Sequence, residues 1–430
     1  MRRQTSIPVA AATALAVATA LLSACSPGTS SGTGTAQQTE DKKLTYVYFT
    51  DGPDEQATRS LIADFEKQTG AQVDLQIVPF DNLEQSLQAR LSGGNAPDVA
   101  RLSDIDPFRS DLLDLNKFQK GALDGKFIDG AKSYVTGPGG ELLAVPSDLT
   151  MNGPLINVDQ FTKANVALPD PKKPWTWTDM IDAAKKVQQA NKTEFAIAMD
   201  VSGHRFATML SQFGTDYFTE DGKVGLDKAK ATAAVKQFAD LNASGAMPKD
   251  LWIQSGSKYK AASDIFLAQQ VPVYISGNWQ VSAFDKSAKF TWKVAPNPCQ
   301  ERCGGYPGGK FMVSFGKSKH QQLAAQFIAW MNSADSQKKM CQMAAFLPTR
   351  KDLIDQGIAY PVRSADMNVF LGEIKQTPTD TYANVYSPAF SGAANAARDE
   401  LAKVLTGKDT PDAAVDVMRA AAQKALEDAK

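Results

Sequence analysis

Apolar and polar positions alternate in blocks through the first hundred folded residues. Short apolar runs occupy 44–49 and 98–102, and residues 73–77 alternate between apolar and polar side chains, as strands do. Between these runs, apolar side chains recur at helical spacing over 57–65 and 83–91. Strand, helix, strand, helix and strand in this order predict an α/β unit with a mainly parallel sheet.

The stretch Glu141–Phe161 interrupts this order. Two apolar runs, at 142–145 and 153–156, flank a polar middle that contains Pro146. Because proline lacks a backbone donor, this middle is not typical of a continuous buried strand. The composition is compatible with a loop between two strands of one domain, or with a chain that crosses from one sheet to another.

The pattern of helices and strands starts again after this stretch, which favours the crossing. Thr176 with Asp179 indicates a capping box, and Asp227 is placed to cap a second helix. Thr410 followed by Pro411 is typical of the start of a third helix. Further strands are predicted at 195–199, 271–275 and 311–315, and further helices at 365–375, 389–405 and 411–429.

The N-terminal residues indicate export. Arg2 and Arg3 precede an uncharged, Ala-rich run that ends in small residues before Cys25, so 1–24 is predicted to be a signal peptide. A transmembrane anchor is the alternative, since about 18 apolar residues can span a bilayer. Cys25 in this context resembles a bacterial lipobox cysteine, which carries lipid. The Ser/Gly/Thr-rich residues 25–43 then form a flexible tether.

Length and charge narrow the class of protein. A chain of 430 residues favours two domains over one. A net charge of -1, with no basic block, gives no electrostatic footprint for nucleic acid.

Three cysteines remain after Cys25. Cys299 and Cys303 lie close together in a Pro/Gly-bounded loop, and outside the cytoplasm they can form a small disulfide loop. Pairing of Cys341 with either of them is left open. No metal site is predicted, because the C-x3-C spacing has no second ligand pair and the chain contains only two histidines.

Motifs for catalysis are missing from the sequence. The chain has no H-E-x-x-H, no G-x-S-x-G, no P-loop and no strand-linked G-x-G-x-x-G. His320 is interpreted as a solvated residue at a helix start. Two acids such as Asp51 and Asp98 would suffice for a glycosidase, but nothing in the sequence sets their separation. No cofactor is predicted.

Polar and aromatic residues instead collect at the ends of predicted strands, where α/β sheets bind ligands. Carboxylates and amides accept hydrogen bonds from hydroxyls, and a tryptophan face packs on the C–H side of a sugar ring. Each carboxylate has a structural alternative as a turn or cap residue. The candidates are Asp51, Ser103, Asp104, Ser147, Asp148, Asp200, His204, Arg205, Asn278, Trp279, Gly305 and Tyr306.

The order and spacing of several segments resemble the extracellular solute-binding proteins of ABC importers, in the sugar-binding, maltose-binding-protein-like branch. The segments include LTYVYFTDG, LSGGNAPDVARL, AVPSDLTMNGPLINVDQF, WTWTDMIDAAKKV, FLAQQVPVYISGNWQ, AAQFIAWMNSADSQKKM and FLPTRKDL. The resemblance covers almost all of the chain after the lipobox.

The resemblance implies an α/β, two-lobed periplasmic-binding-protein-like fold with hinge segments and a cleft between the lobes. The N-terminal lobe would comprise 44–148 with 300–347, and the C-terminal lobe 149–299 with 348–430. It further implies closure on a sugar, delivery to a membrane permease, a lipid-anchored position outside the cytoplasm, no catalysis and a monomeric state.

The resemblance adds Phe390, at the start of a C-terminal helix, to the candidate residues, with Tyr386 as the alternative. The chain departs from the family by having Leu102 and Ser103 where an aromatic residue is common, and SGNW where Gly-Pro-Trp is common. The predicted stacking surface is therefore thin, which favours a small or modified sugar. The alternatives are a surface-anchored glycan hydrolase or a binder of another polar solute such as a glycerophosphodiester.

Overall fold

The computed structural model describes residues 42–50, 54–123, 125–170 and 173–429. The predicted signal peptide, Cys25 and Asp51 lie outside these residues. The strands of the described part are β1 Lys43–Tyr48, β2 Gln72–Ile77, β3 Val99–Leu102, β4 Val145–Asn157, β5 Ile197–Met199, β6 Val273–Gly277, β7 Trp292–Val294 and β8 Pro307–Ser314.

Helices surround these strands. In the first half of the described chain they are α1 Asp54–Thr69, α2 Phe80–Ser92, α3 Asn116–Gln119, α4 Lys132–Val135, α5 Val158–Lys163, α6 Trp177–Asn191, α7 Gly203–Gln212, α8 Lys228–Ala243 and α9 Lys249–Trp252. In the second half they are α10 Ala262–Leu267, α11 Val281–Ser287, α12 Gln321–Met331, α13 Ala334–Ala344, α14 Lys351–Gln356, α15 Ser364–Gln376, α16 Thr379–Val385, α17 Phe390–Leu405 and α18 Pro411–Asp428.

The predicted α/β unit at the start of the chain is confirmed. β1 pairs in parallel with β2 on one side and with β3 on the other. The apolar stripe of α1, which includes Leu61 and Phe65, is buried. The capping box of Thr176 and Asp179, the Asp227 cap and the Thr410 cap are also confirmed.

The sheet as a whole is mixed rather than mainly parallel. Its strand order is β2-β1-β3-β8-β4-β6-β5, with β7 paired to β4. β8, which comes from much later in the chain, lies antiparallel between β3 and β4. Parallel pairing is therefore confined to β1 with its two neighbours and to β5 with β6.

The stretch Glu141–Phe161 contains one continuous strand, so the expectation of a broken strand was wrong. A shift of register between Pro146 and Asp148 leaves Ser147 as the extra residue of a bulge, and Pro146 lies opposite Phe311 of β8. The first half of β4 pairs with β8 as far as Met151, and the second half pairs with β6 from Asn152 onward. β4 therefore changes its pairing partner within one sheet, at a crossing point between Met151 and Asn152. The predicted passage of the chain from one lobe to the other stays a prediction.

Two buried asparagines hold the crossing point. The side-chain oxygen of Asn278 accepts a hydrogen bond from the Met151 amide at 2.9 Å. The Asn152 side chain donates to Thr208 Oγ1 at 2.8 Å and accepts from the Tyr306 amide. Since buried polar groups are costly when unpaired, these bonds allow polar residues to lie within a buried strand.

The short loop 299–303 is closed by the predicted disulfide between Cys299 and Cys303. Cys341 is a buried free thiol on α13, as predicted. Inside the loop, Arg302 forms ion pairs with Asp216 at 2.5 Å and Asp380 at 2.6 Å. Through Arg302, the loop between β7 and β8 is linked to Asp216, which follows α7, and to Asp380, in the first turn of α16.

From Lys42 onward the chain forms one compact unit. One hydrophobic cluster includes Leu44, Phe65 and Phe327, and another includes Phe206 and Val415. Among the helices that the structure describes, none has the length and apolar character needed to cross a bilayer.

Candidate ligand-binding site

A cleft of about 380 Å³ lies where the carboxyl ends of β3 and β6 meet the crossing strand β4. Six of the predicted residues line it, namely Ser103, Asp104, His204, Arg205, Trp279 and Phe390. Tyr386, the alternative to Phe390, also lines the cleft. The sequence did not single out the other lining residues, which are Phe80, Thr150, Gly308, Gly309, Lys310, Phe346, Val385 and Ser391.

The end of β3 supplies one acidic corner of the cleft. Asp104 accepts a hydrogen bond from the Tyr134 hydroxyl at 2.6 Å and another from the Asp106 amide at 2.9 Å. These bonds fix one carboxylate oxygen of Asp104. Ser103, which precedes it, also lines the cleft.

The first turn of α7 supplies the opposite polar corner. The Ser202 side chain caps this helix by accepting from the His204 amide, so His204 and Arg205 lie on a helix and not in the predicted loop. His204 Nε2 donates to the Pro307 carbonyl at 2.8 Å. Desolvation by the surrounding protein lowers the pKa of His204 to about 3, so its ring is neutral at physiological pH.

Arg205 is the most exceptional polar residue of the cleft. Its side chain is 7% exposed, and its guanidinium carbon lies 4.6 Å from the centroid of the Trp279 ring. Burial lowers the pKa of Arg205 to about 10, opposed by the charge of Asp200. Among the described residues, nothing forms a hydrogen bond with its buried Nη1.

A second unpaired polar atom belongs to Tyr386, whose hydroxyl is buried and has no hydrogen-bond partner within the described residues. Its ring is stacked on Tyr134, with centroids 5.5 Å apart. Because buried polar atoms in folded proteins are nearly always paired, these two residues of the cleft are candidates for hydrogen bonds with a ligand.

The aromatic residues of the cleft differ in exposure. Phe80, at the start of α2, is 57% exposed and packs against Phe49 at a centroid distance of 5.1 Å. Trp279 is partly buried, whereas Phe390 is buried and stacked on Tyr306 at 5.7 Å. Phe80 therefore adds an exposed ring that the sequence did not single out, and the expectation of a thin stacking surface stays a prediction.

Ser147 and Asp148 line a separate cavity of about 20 Å³, which shares Phe346 with the cleft. Asp148 is 3% exposed and pairs with Arg101, whose Nη2 lies 2.9 Å from the carboxylate. The Ser147 hydroxyl donates to Asp148 at 2.9 Å. In this arrangement the two residues form part of a buried ion pair, and their contact with ligand stays a prediction.

The remaining candidates lie behind the lining residues and support them. Asp200 accepts from the hydroxyls of Tyr274 at 2.5 Å and Ser276 at 2.6 Å, and burial raises its pKa. Asn278 holds the crossing strand. Tyr306 packs edge-on against His204. A Cβ on Gly305 would lie 2.6 Å from Met151 Sδ, so this glycine permits close packing.

The geometry is that of a binding cleft with several polar groups and aromatic faces. Within the described residues, no group of His, Cys, Asp or Glu side chains is arranged to hold a metal ion. Residues 60–368 match the family model described as bacterial extracellular solute-binding protein. The chain belongs to this family.

Two curated relatives differ in what their names say they bind. The solute-binding protein described here is 25% identical over 317 residues to an arabinooligosaccharide-binding protein of Halalkalibacterium halodurans, covering 69% of this chain and 67% of that protein. It is 20% identical over 310 residues to an sn-glycerol-3-phosphate-binding periplasmic protein of Agrobacterium fabrum, covering 68% of each.

A solved structure supports the fold. The cyclic alpha-maltosyl-1,6-maltose binding protein of Arthrobacter globiformis superposes with a TM-score of 0.75 at 19% identity, covering 90% of this chain and 99% of that one. The predicted fold class, a two-lobed periplasmic-binding-protein-like α/β fold, is thereby confirmed. Membership of an extracellular family also places the protein outside the cytoplasm.

Proposed function

We propose that this solute-binding protein captures a carbohydrate in the cleft and delivers it to the permease of an ABC importer. The observation that carries the proposal is the combination of aromatic faces with unpaired polar atoms in one cleft. Phe80 and Trp279 offer surface for the C–H side of a sugar ring, and Arg205 and Tyr386 offer donors for its oxygens.

The size of the cleft favours a small sugar. Its volume of about 380 Å³ is near the lower end of the roughly 300–1,000 Å³ that ligand pockets span. The name of the arabinooligosaccharide-binding relative supports the carbohydrate class. The name of the glycerol-phosphate-binding relative supports a second candidate, a polyol phosphate or glycerophosphodiester.

The proposal includes binding without turnover. A glycan hydrolase of the usual kind needs two carboxylates on either side of the bond that breaks, about 5–9.5 Å apart. The described lining residues provide a single carboxylate, Asp104. Asp148 and Asp200 are engaged by Arg101 and by two hydroxyls respectively.

We further propose that the lobes, 44–148 with 300–347 and 149–299 with 348–430, close on the ligand about β4. The change of β4 partner after Met151 supports this division. Contacts made only in the closed form would shift the population toward it. Lipid on Cys25 would keep the monomeric protein at the membrane, next to its permease.

A sugar panel tests this function. A ligand present at about 100 times its dissociation constant should stabilise the protein by about 2.7 kcal/mol in thermal unfolding, and mass spectrometry should recover it intact. Trp279→Ala should weaken binding by about tenfold or more while the apo melting temperature barely moves. Trp330→Ala, on α12 and outside the lining residues, is the matched control and should bind normally. Hydrolysis of the stabilising ligand would refute binding without turnover.

A further inference from the structure

The guanidinium of Arg205, whose Nη1 has no hydrogen-bond partner among the described residues, indicates the charge of the solute. Its side chain is more than nine-tenths buried and lines the cleft, and among the described residues no hydrogen-bond acceptor reaches its Nη1. A charge removed from water without a partner is strongly unfavourable. The described residues therefore do not provide an acceptor for this atom of Arg205, and a bound solute can provide one for the guanidinium.

The neighbours of Arg205 offset only part of its charge. The charge of Asp200 acts on Arg205 from a distance, while the two oxygens of Asp200 accept hydrogen bonds from Tyr274 and Ser276. His204, the preceding residue, is neutral because its pKa is lowered to about 3. Trp279 contributes a π face and no acceptor oxygen.

The Trp279 ring lies beside the guanidinium, whose carbon is 4.6 Å from the ring centroid. A guanidinium can bind a planar oxyanion such as a carboxylate, or a phosphate, through parallel charge-assisted hydrogen bonds while it contacts an aromatic ring. The contact with Trp279 is therefore compatible with an oxyanion bound to Arg205.

The charges along the rest of the cleft agree with this assignment. Among the described lining residues, Arg205 is a cation on one element and Asp104 is a carboxylate on another. Asp104 follows β3, whereas Arg205 lies on α7, so the hydroxyls of a ligand and its anionic group can be recognised by different elements.

We propose that the solute is an anionic carbohydrate or polyol, with a carboxylate or phosphate that binds Arg205. This inference rests on the proposed function and specifies its ligand class. A neutral hydroxyl can accept a hydrogen bond from the guanidinium but brings no opposite charge, whereas an oxyanion supplies both an acceptor and a negative charge.

Matched probes test the charge directly on the full chain by isothermal titration calorimetry. The sets are D-glucose, D-glucuronate and D-glucose 6-phosphate; D-galactose and D-galacturonate; and glycerol and sn-glycerol 3-phosphate. In at least one set an anionic member should bind about tenfold or more tighter than its neutral counterpart. The uronate and phosphate arms show which oxyanion is preferred.

The variant Arg205→Gln tests the residue. It should weaken binding of the anionic probe by about thirtyfold or more, because truncating one side of a buried charge pair is costly, while any neutral binding changes little. Its apo melting temperature should change little, because the lost contact with Trp279 and the lost attraction to Asp200 are offset by removal of the cost of burying the charge. Arg59→Gln, at an exposed position paired with Glu55 on α1, removes the same charge and should bind as the wild type does.

Specific results would overturn the inference. These are binding of neutral members as tightly as their anionic counterparts, equal weakening of both by Arg205→Gln, or binding of neutral probes alone. Each of them leaves carbohydrate capture intact. Failure of every probe and of the wider sugar panel would refute the proposed function as well.

Discussion

Buried polar side chains in this protein differ in whether the folded chain gives them hydrogen-bond partners. Asn152 and Asn278 are completely buried and fully engaged with backbone and side-chain partners. Arg205 and Tyr386 are also buried, yet each has an atom without a partner among the described residues. The two asparagines stabilise the fold through these bonds, whereas a contact of Arg205 and Tyr386 with a ligand is part of our proposal.

Glu373 on α15 is a buried acid away from the cleft, and it gives a prediction about pH. Its side chain is 2% exposed, and burial raises its pKa from 4.5 to about 7, although Asn297 donates to the carboxyl group. The folded protein therefore holds this proton more tightly than the unfolded chain does. This contribution to stability is complete below about pH 4.5 and is lost as the pH rises to about 7.

The substitution Glu373→Gln should remove this dependence. At pH 8 the variant should be more stable than the wild type by up to about 3 kcal/mol, and most of the difference should be gone at pH 5. Urea unfolding at both values measures it, with the exposed Glu84→Gln as a control. Equal stabilities of the variant and wild type at pH 8 would show that Glu373 is not destabilised by its burial.

At the scale of elements, β4 is the feature on which the two parts of the sheet depend. It exchanges β8 for β6 as its partner between Met151 and Asn152. The segment before Tyr306 packs against this point so closely that it requires glycine at 305. A Cβ there would be 2.6 Å from Met151 Sδ and 2.9 Å from the Asn152 carbonyl oxygen.

Gly305→Ala should therefore destabilise the protein by about 1–3 kcal/mol through overpacking at the crossing. Gly372→Ala is the matched control, because it lies in α15 and a Cβ added there would meet open space among the described residues. This second change should be neutral or stabilise by about 0.5–1 kcal/mol, as expected for glycine in a helix. Chemical denaturation compares the two, and an unchanged Gly305→Ala midpoint would mean that the crossing tolerates a side chain.

The whole molecule combines two sheet regions, joined by one long strand, with a polar and aromatic cleft beside the join. Such an arrangement suits closure around a ligand, since a few residues at the crossing can absorb the change in geometry. The same protein is expected to remain at the outer face of a membrane. This expectation depends on Cys25, which lies outside the described residues.

Replacing Cys25 by alanine should move the protein from the membrane fraction to the soluble fraction or the medium, because a lipidated cysteine is the proposed anchor. Cell fractionation followed by immunoblotting provides the measurement. Cys341→Ala, which removes a buried thiol, should leave the protein in the membrane fraction. If Cys25→Ala stayed in the membrane fraction, the anchor would have to lie elsewhere.

The sequence by itself determined the features that depend on neighbouring residues. The parallel unit of β1, β2 and β3 followed from periodicity, the caps at Thr176, Asp227 and Thr410 from local side-chain chemistry, and the closeness of Cys299 to Cys303 from spacing. Residues that directly follow strands, such as Asp104 and Trp279, were found for the same reason, since the end of a strand is visible locally.

Only the tertiary structure decided which of the candidate residues share one cleft. Phe80 and Tyr386 are separated by about three hundred residues of chain, and nothing in their local sequence indicates that they meet. The ion pair of Asp148 with Arg101 was not visible in the sequence, because the two residues are 47 positions apart. Whether a polar side chain contacts a ligand depends on which partners the folded chain brings to it, and those partners are distant in sequence.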